Sequence, residues 1–307
     1  MRRDSSKMSE IHVKKKKKKI IGAKVGKFAT NSFVHILLTV LSVIWLFPIF
    51  WVVMTSFRVE NGGRGSYTNY FFPKELGFDN YIKLFTERDL LDFPQMFMNT
   101  LIIAVCTCLI STFFVISVAY CMSRLRFKLR KPFLNLTMIM GLFPGFMSMI
   151  AVYYILKSVE LTEGPMIRLA MILVYSGGAG LGFLVSKGFL DTIPKTLDEA
   201  ALIDGATKWQ VFTKIIMPLC KPTIVYTILS SFMGPWVDFI FPKVLCRTQK
   251  DYYTVSIGLW NMLEKEYVDS FFTRFAAGAV CISIPIAIIF LLMQRCYKEG
   301  MSGAVKG

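Results

Sequence analysis

The stretch Glu199-Ala-Ala-Leu-Ile-Asp-Gly205, followed after nine intervening residues by Ile215 and then by Met217-Pro218, lies between two hydrophobic segments of a strongly apolar chain. We interpret this stretch as a docking element rather than an active site. A protein outside the bilayer can bind a short segment that connects two membrane spans, and through it can move the membrane domain.

Local signals predict the structure of this stretch. Thr196-Leu-Asp-Glu199 and Thr207-Lys-Trp-Gln210 both have the spacing of a capping box, in which a Thr side chain and a Glu or Gln side chain satisfy the first free amides of a helix. Gly205 can adopt the left-handed conformation that often follows a helix, and Pro218 and Pro222 would end a second helix. The sequence therefore predicts two short helices joined at a glycine corner.

The composition indicates an integral membrane protein. Hydrophobic residues make up 54% of the 307 residues and the mean hydropathy is +0.51, whereas a soluble domain is roughly 45–50% apolar. A helix needs about 20 residues to cross a hydrocarbon core ~30 Å thick. We therefore predict an all-α polytopic membrane protein with six transmembrane helices, at roughly 33–56, 98–121, 133–156, 166–186, 223–242 and 275–294.

The distribution of charge predicts the orientation in the membrane. Of the 36 Lys and Arg residues, 24 lie in the segments that are cytoplasmic if the N-terminus is inside, as the positive-inside rule requires. We expect a basic cytoplasmic tail (1–32), a six-helix transmembrane domain (33–294) and a cytoplasmic C-terminal tail (295–307). The run Lys14 to Lys19 has no interleaved aromatic residues, so it indicates attraction to anionic lipid and not a nucleic-acid site.

The pattern Glu199-Ala200-Ala201-x-x-x-Gly205-x9-Ile215-x-Met217-Pro218 resembles the cytoplasmic coupling motif of permease subunits in binding-protein-dependent ABC importers, with Met217 where Leu is usual. Other stretches resemble the smaller permease of maltose-type carbohydrate importers and together cover nearly the whole chain after residue 30. They are Phe72 to Leu76, Asn80-Tyr81, Ala119-Tyr120, Ser123 to Phe127, Ile203 to Ala206, Trp236 to Phe239, Tyr253-Thr254, Gly258-Leu259 and Gly303 to Gly307.

This resemblance implies the type I ABC importer permease fold, with coupling helices at about 196–218. It also implies four kinds of partner: a second permease subunit, a pair of cytosolic ABC ATPases, an external solute-binding protein and a sugar substrate. The residues that it assigns to coupling with the ATPase are Glu199, Ala200, Ala201, Asp204, Gly205, Ile215 and Pro218.

The sequence also indicates that energy comes from another subunit. No Gly-x-x-x-x-Gly-Lys-Ser/Thr motif occurs, since Gly22 to Lys27 has the wrong spacing and is followed by Phe28. We expect no catalytic residues and no cofactor in this chain, with ATP and Mg²⁺ bound by the partner ATPase. Cys106-Thr-Cys108 does not have the spacing of a metal site, so no metal is expected.

Asp238 is the one carboxylate within a predicted span, and it permits two interpretations. It follows Gly234-Pro235, which should kink the fifth helix and free the carbonyl of Ser231, so it can line a polar notch in a substrate path. Alternatively, it is an interfacial carboxylate bonded to a neighbouring helix or to Lys243. The candidate path residues are Ser231, Trp236, Asp238 and Phe239.

The resulting hypothesis is a permease subunit of an oligosaccharide importer, for a substrate such as a maltodextrin or a galactoside. Two alternatives stay open. The first is an ABC importer permease for another solute, such as a polyol or glycerol phosphate. The second is a membrane scaffold that docks an ATPase and conducts nothing.

Overall fold

The computed structural model describes an almost entirely helical protein. The described residues are 31–59, 72–88, 91–143, 145–178, 182–264 and 266–304. The chain divides into two compact units, Met1–Met54 and Thr55–Gly307. The first helix, α1 (Asn31–Ser56), is long and apolar enough to cross a membrane, and its side chains from Val34 to Phe50 are exposed, a surface suited to lipid rather than water.

The second unit is a bundle of helices around α3. Its helices are α2 (Asp79–Thr86), α3 (Phe93–Arg124), α4 (Arg130–Met140), α5 (Gly145–Ser158), α6 (Met166–Gly178), α7 (Phe183–Thr192), α8 (Thr196–Ile203), α9 (Lys208–Gln210), α10 (Met217–Leu219), α11 (Lys221–Val237), α12 (Ile240–Cys246), α13 (Val255–Met262) and α14 (Val268–Ala304). A π-helix spans Val211–Ile216 and a 3₁₀ turn spans Lys250–Tyr252. In the described part of the chain, the only β pairing is an isolated bridge between Arg58 and Leu76.

The central helix, α3, organises this unit. It has 32 residues and a length of about 48 Å at 1.5 Å per residue, which is more than the ~30 Å thickness of a hydrocarbon core. Asp92 caps its start by accepting a hydrogen bond from the Gln95 amide at 3.1 Å, and Pro94 occupies the first turn. α3 packs along α6, α7 and α11 through buried small residues such as Ala104 and Ala119.

Some of the six predicted transmembrane spans form helices long enough to cross a membrane, and others are bent or interrupted. Three helices are long and apolar enough to cross a membrane: Asn31–Ser56, Phe93–Arg124 and Phe271–Gln294. A fourth candidate, Met166–Thr192, combines α6 and α7 across residues 179–181, which lie outside the described residues. A fifth candidate is a pair of helices, Lys208–Leu219 and Lys221–Val237, that meet at a 77° bend. By the criteria of helix length and apolar composition, the described residues therefore contain four or five membrane spans, fewer than the six predicted.

The predicted third span, 133–156, is interrupted. α4 ends at Met140 and α5 begins at Gly145. Gly141 ends α4 as its C-cap, and Pro144, the residue before α5, lies outside the described residues. The hydrophobic run is continuous in sequence, but glycine weakens a helix and proline removes a backbone donor, so two short helices form where one was predicted.

The buried apolar side chains form two clusters at different levels of α3. The larger one surrounds the Phe93 half of the helix and includes Ile103, Trp236 and Leu245. The smaller one surrounds the Arg124 half. It joins Val115, Ala119 and Met122 of α3, Phe183 and Leu190 of α7, Cys220, and Ala201, Val211 and Ile216 of the predicted docking element.

Candidate docking element and adjoining cavity

Residues 196–219, here called the two-helix element, form the predicted helix, corner and helix, but the first predicted cap is wrong. Thr196 is already inside α8, and no side chain caps that helix. The amides of Asp198 and Glu199 donate to the carbonyl of Lys195 at 3.0 and 3.1 Å. Pro194, whose fixed φ suits the start of a helix, begins the turn earlier, so Thr196 cannot adopt the extended conformation of a cap.

The glycine corner forms as predicted. Gly205 has a φ of +87°, in the left-handed region that favours glycine. The Ala206 amide donates to the Ala201 carbonyl at 2.9 Å, and the Gly205 amide donates to the Leu202 carbonyl at 3.1 Å. This pair of bonds is a Schellman motif, which satisfies carbonyls that the end of α8 would leave free.

The second capping box is confirmed. Thr207 Oγ1 accepts from the Gln210 amide at 3.2 Å, and the Thr207 amide donates to Gln210 Oε1 at 2.8 Å. Pro218 does not end the helix that follows. It lies in the first turn of α10, where a missing amide is tolerated, and the break falls at Cys220 before α11.

The element is anchored to α3 and α7 on its inner side. Ala201, Val211 and Ile216 enter the smaller apolar cluster, with Ile215 packed against it. The ring of Phe212 lies 4.6 Å from that of Tyr120, measured between centroids. The element is therefore held as a packed part of the bundle.

A buried ion pair adds to this anchoring. Arg124 Nε lies 3.0 Å from Asp198 Oδ2, with the arginine side chain 4% and the aspartate side chain 15% exposed. Arg124 Nη2 donates to the Ile193 carbonyl at 3.0 Å. Burial raises the pKa of the Asp198 carboxyl, an effect that Arg124 opposes. Asp198 Oδ1 and Arg124 Nη1 are buried with no hydrogen-bond partner in the described part of the chain, so the cost of burying the pair is only partly offset.

The other side of the element is exposed and partly apolar. Ile203 is 86% exposed and Trp209 is 68% exposed. A groove of about 720 Å³ borders this face, with Arg126, Lys195 and Glu199 in its lining. Of the predicted coupling residues, Glu199, Ala200, Asp204, Gly205 and Pro218 are exposed, whereas Ala201 is buried and Ile215 half-buried.

A separate cavity of about 480 Å³ lies where α3, α5, α6, α11 and α12 meet. Two predicted path residues, Ser231 and Asp238, line it. The other two do not. Trp236 is buried in the larger cluster, edge-on to Phe97 with the ring centroids 5.2 Å apart, and Phe239 stacks on Trp260 at 4.7 Å.

Asp238 does not lie within a helix, contrary to the prediction of a continuous span 223–242. α11 ends at Val237, and Asp238 has extended backbone angles. Its Oδ1 accepts from the amide of Ile240 at 3.0 Å, so it caps α12. Its Oδ2 accepts from Tyr175 Oη of α6 at 3.1 Å, whereas Lys243 Nζ donates to Asn261 instead.

Sequence reasoning missed several polar side chains of this cavity. Thr107, Ser148 and Tyr175 come from α3, α5 and α6, and no local pattern connects them in the sequence. The hydroxyls of Thr107 and Ser231 have no hydrogen-bond partner in the described part of the chain. Among the described residues, no three His, Cys, Asp or Glu side chains are placed to hold a metal ion.

The sequence is similar to a family model and to curated proteins that are all described as components of transport systems. Residues 113–302 match the family model described as "Binding-protein-dependent transport system inner membrane component". The galactooligosaccharides transport system permease protein GanQ of Bacillus subtilis (strain 168) is 34% identical over 286 residues, which cover 92% of this chain and 98% of GanQ. The maltodextrin transport system permease protein MalD of Streptococcus pneumoniae is 31% identical, with coverage of 92% and 98%.

The fold also has a match among solved structures. A bacterial ABC transporter involved in the import of the acidic polysaccharide alginate contains a chain that superposes with a TM-score of 0.67 at 20% sequence identity. The superposition covers 85% of this chain and 94% of that chain. The architecture built around α3 is therefore shared over most of both chains.

Proposed function

Since the chain belongs to the family of binding-protein-dependent transport system inner membrane components, we propose that it forms one half of the translocation path of an ATP-driven oligosaccharide importer. The family and the importer permease fold that the coupling motif predicted are confirmed. The protein is a multi-pass membrane permease. In our proposal, a second permease subunit supplies the other half of the path.

The observation that carries the proposal is the two-helix element. One side of it is packed and ion-paired to α3, while the other exposes Ile203 and Trp209 to solvent. Large exposed apolar residues on a rigid base are typical of a binding surface. We assign this surface to a cytosolic ATPase, which binds ATP and Mg²⁺, with Glu199 available to pair with a basic side chain of that subunit.

The connection from the docking surface to the path runs along α3. Arg124 holds the two-helix element at one end of this helix, and Thr107 lines the cavity 17 positions earlier, about 25 Å away along the helix axis. A rigid helix can carry a displacement over that distance. Movement of the ATPase pair would therefore tilt α3 and change the shape of the cavity.

The orientation and the substrate class complete the proposal. The concentration of Lys and Arg in the tails and in the segments after α3 and α7 supports cytoplasmic termini, which leaves the opposite face for a solute-binding protein. The names of GanQ and MalD support an oligosaccharide as the substrate.

The first test is a mild-detergent pull-down of the tagged chain, with the partners identified by mass spectrometry. The test variant joins Glu199→Lys and Ile203→Asp on the exposed face. A matched control joins Val159→Asp and Glu163→Lys, which have the same spacing and are also exposed. We expect the test variant to lose the ATPase and keep the second permease, while the control keeps both. Equal recovery of the ATPase with all three proteins would contradict the docking role.

A second measurement separates transport from scaffolding. In the reconstituted complex with its solute-binding protein, galactotriose or maltotriose should stimulate ATP hydrolysis in the control and much less in the test variant. ATP hydrolysis that no solute stimulates would instead indicate a scaffold that docks an ATPase without conducting.

A further inference from the structure

The cavity beside α3 contains hydroxyl groups that the fold itself does not use. Hydroxyls in buried helices usually donate to the carbonyl one turn earlier, as Thr100 does to Met96 and Thr227 does to Thr223, at 2.9 Å in both cases. Thr107 and Ser231 are 1% and 6% exposed, line the cavity and make no such bond. Buried polar groups without a partner inside the protein indicate that a ligand supplies one.

The described lining of the cavity carries one charged side chain, and it is negative. Asp238 is the one charged side chain among the described residues that line it, and the residues at 144 and 179–181 are uncharged in the sequence. Asp238 forms no ion pair with Lys243, whose ammonium group donates to Asn261 Oδ1 at 3.1 Å instead. The carboxylate is held against the cavity by Tyr175 and by the start of α12.

From these observations we propose that the cavity admits neutral sugars and rejects anionic solutes, with Asp238 as the residue that determines this specificity. The inference rests on the proposed function and adds the charge class of the cargo. A sugar ring offers donors and acceptors to the free hydroxyls of Thr107 and Ser231. A phosphate or uronate would meet the negative charge of Asp238 in a mostly apolar cavity, and the described residues that line the cavity include no Lys or Arg to attract it.

The fold alone does not impose this preference. The structural relative that shares the architecture is described as importing alginate, an acidic polysaccharide. Side chains that line the path therefore have to set the charge preference, and Asp238 is the charged one among the described residues that line this cavity.

The test measures how fast charged reagents reach a cysteine in the cavity of the assembled transporter without nucleotide. Ser230 lines the cavity and is exposed, so Ser230→Cys provides the thiol. Methanethiosulfonate reagents carrying a sulfonate, a trimethylammonium or an uncharged methyl group are compared, each rate being divided by its rate with a small thiol in solution. The chain without the added cysteine is the blank, since its described cysteines are buried or half-buried.

The decisive comparison adds Asp238→Asn, which removes the charge while its Oδ1 can still cap α12. We expect the anionic reagent to react about tenfold more slowly than the neutral one, and most of this difference to disappear with Asp238→Asn. Thr192→Cys, exposed at the end of α7, is the control site, where Asp238→Asn should change no rate.

Two results would overturn the inference. One is a ratio of anionic to neutral rates that Asp238→Asn leaves unchanged. The other is a cysteine at position 230 that none of the three reagents reaches, because solutes would then have no access to the cavity. Labelling requires neither cargo nor ATP hydrolysis. If the complex failed to transport oligosaccharides, the proposed function would be contradicted, but the labelling rates would still test the charge preference of the cavity.

Discussion

The two ends of α3 hold their neighbours by different chemistry. At the Arg124 end, a buried guanidinium pairs with the carboxylate of Asp198 at 3.0 Å. At the Phe93 end, the neutral amide of Asn99 donates to the backbone carbonyls of Asp251 and Tyr253 at 2.8 and 3.1 Å. The Arg124 contact therefore combines a pair of side-chain charges with a bond to the Ile193 carbonyl. The Asn99 contact joins a neutral amide to backbone carbonyls, which no substitution of their own residues removes.

This difference indicates how movement is distributed. A charge pair responds to charges that approach it, as a docking protein would bring. The bonds from the Asn99 amide to backbone carbonyls involve no net charge, so an approaching charge affects them little. The Thr100 hydroxyl adds a further neutral bond by accepting from the Val255 amide at 2.9 Å. The Arg124 end is suited to receive a displacement, and the Phe93 end is suited to resist one.

The largest expected effect follows from breaking the charged end. Arg124→Met leaves the partly buried carboxylate of Asp198 without its cation. We expect a loss of about 3 kcal/mol in stability, at the low end for a buried pair because the Asp198 side chain is 15% exposed, together with loss of ATPase stimulation. The thermal unfolding midpoint of the detergent-solubilised complex and the solute-stimulated ATP hydrolysis measure the two effects.

The double variant Arg124→Met with Asp198→Met provides the control, because it removes both charges. It should recover much of the stability but not the ATPase stimulation. If the double variant were as unstable as the single one, packing rather than charge would hold this end.

The Asn99 contact should be somewhat less sensitive, and the loss on breaking it should not depend on salt. Asn99→Leu leaves the carbonyls of Asp251 and Tyr253 without this donor, at a cost of about 2–3 kcal/mol. Gln95→Leu is the matched control, since its exposed bond to the same Asp251 carbonyl at 2.9 Å can be replaced by water. Unfolding midpoints at low and high salt test this. A salt-dependent loss for Asn99→Leu would contradict the contrast between the two ends.

The two regions also differ in how far the sequence predicts them. The two-helix element follows from short-range signals, because Gly205, Thr207 and Gln210 act on residues within one turn of themselves. Two details were wrong. Pro194 begins α8 before Thr196 can cap it, and Pro218 lies in the first turn of α10 instead of ending the second helix.

The cavity could not be predicted in the same way. Ser231 and Asp238 were identified because polar residues are rare in spans, but Thr107 and Tyr175 meet them only through the packing of α3 and α6 against α11. The break at Asp238 was missed because the run from 223 to 242 is apolar on both sides of it. An Asp that precedes a helix is a cap signal, which hydropathy alone conceals.

Gly205 tests the rigidity of the corner in the two-helix element. Its φ of +87° penalises a β-branched residue, so Gly205→Val should cost about 1–2 kcal/mol and weaken ATPase stimulation. Gly205→Asn should cost less, because Asn tolerates the left-handed region. Apart from the two neighbouring residues in the chain, no described atom lies within 4 Å of an added Cβ, so the Cβ atom that both variants add meets no obstacle. Equal stimulation by both would show that the corner need not be rigid.

The smallest expected effect comes from comparing the two Thr residues that were predicted to cap the helices of the element. Thr207→Ala removes the bond from the Gln210 amide and should cost about 1 kcal/mol, which corresponds to roughly fivefold faster hydrogen exchange at that amide if it exchanges by local opening. Thr196→Ala changes the same side chain in a helix that no side chain caps, so exchange at the Glu199 amide should stay the same. Faster exchange in both variants would mean that α8 is capped in solution as its sequence pattern predicts. An effect confined to Thr207 would place the start of α8 before Thr196, with its first amides bonded to the Lys195 carbonyl.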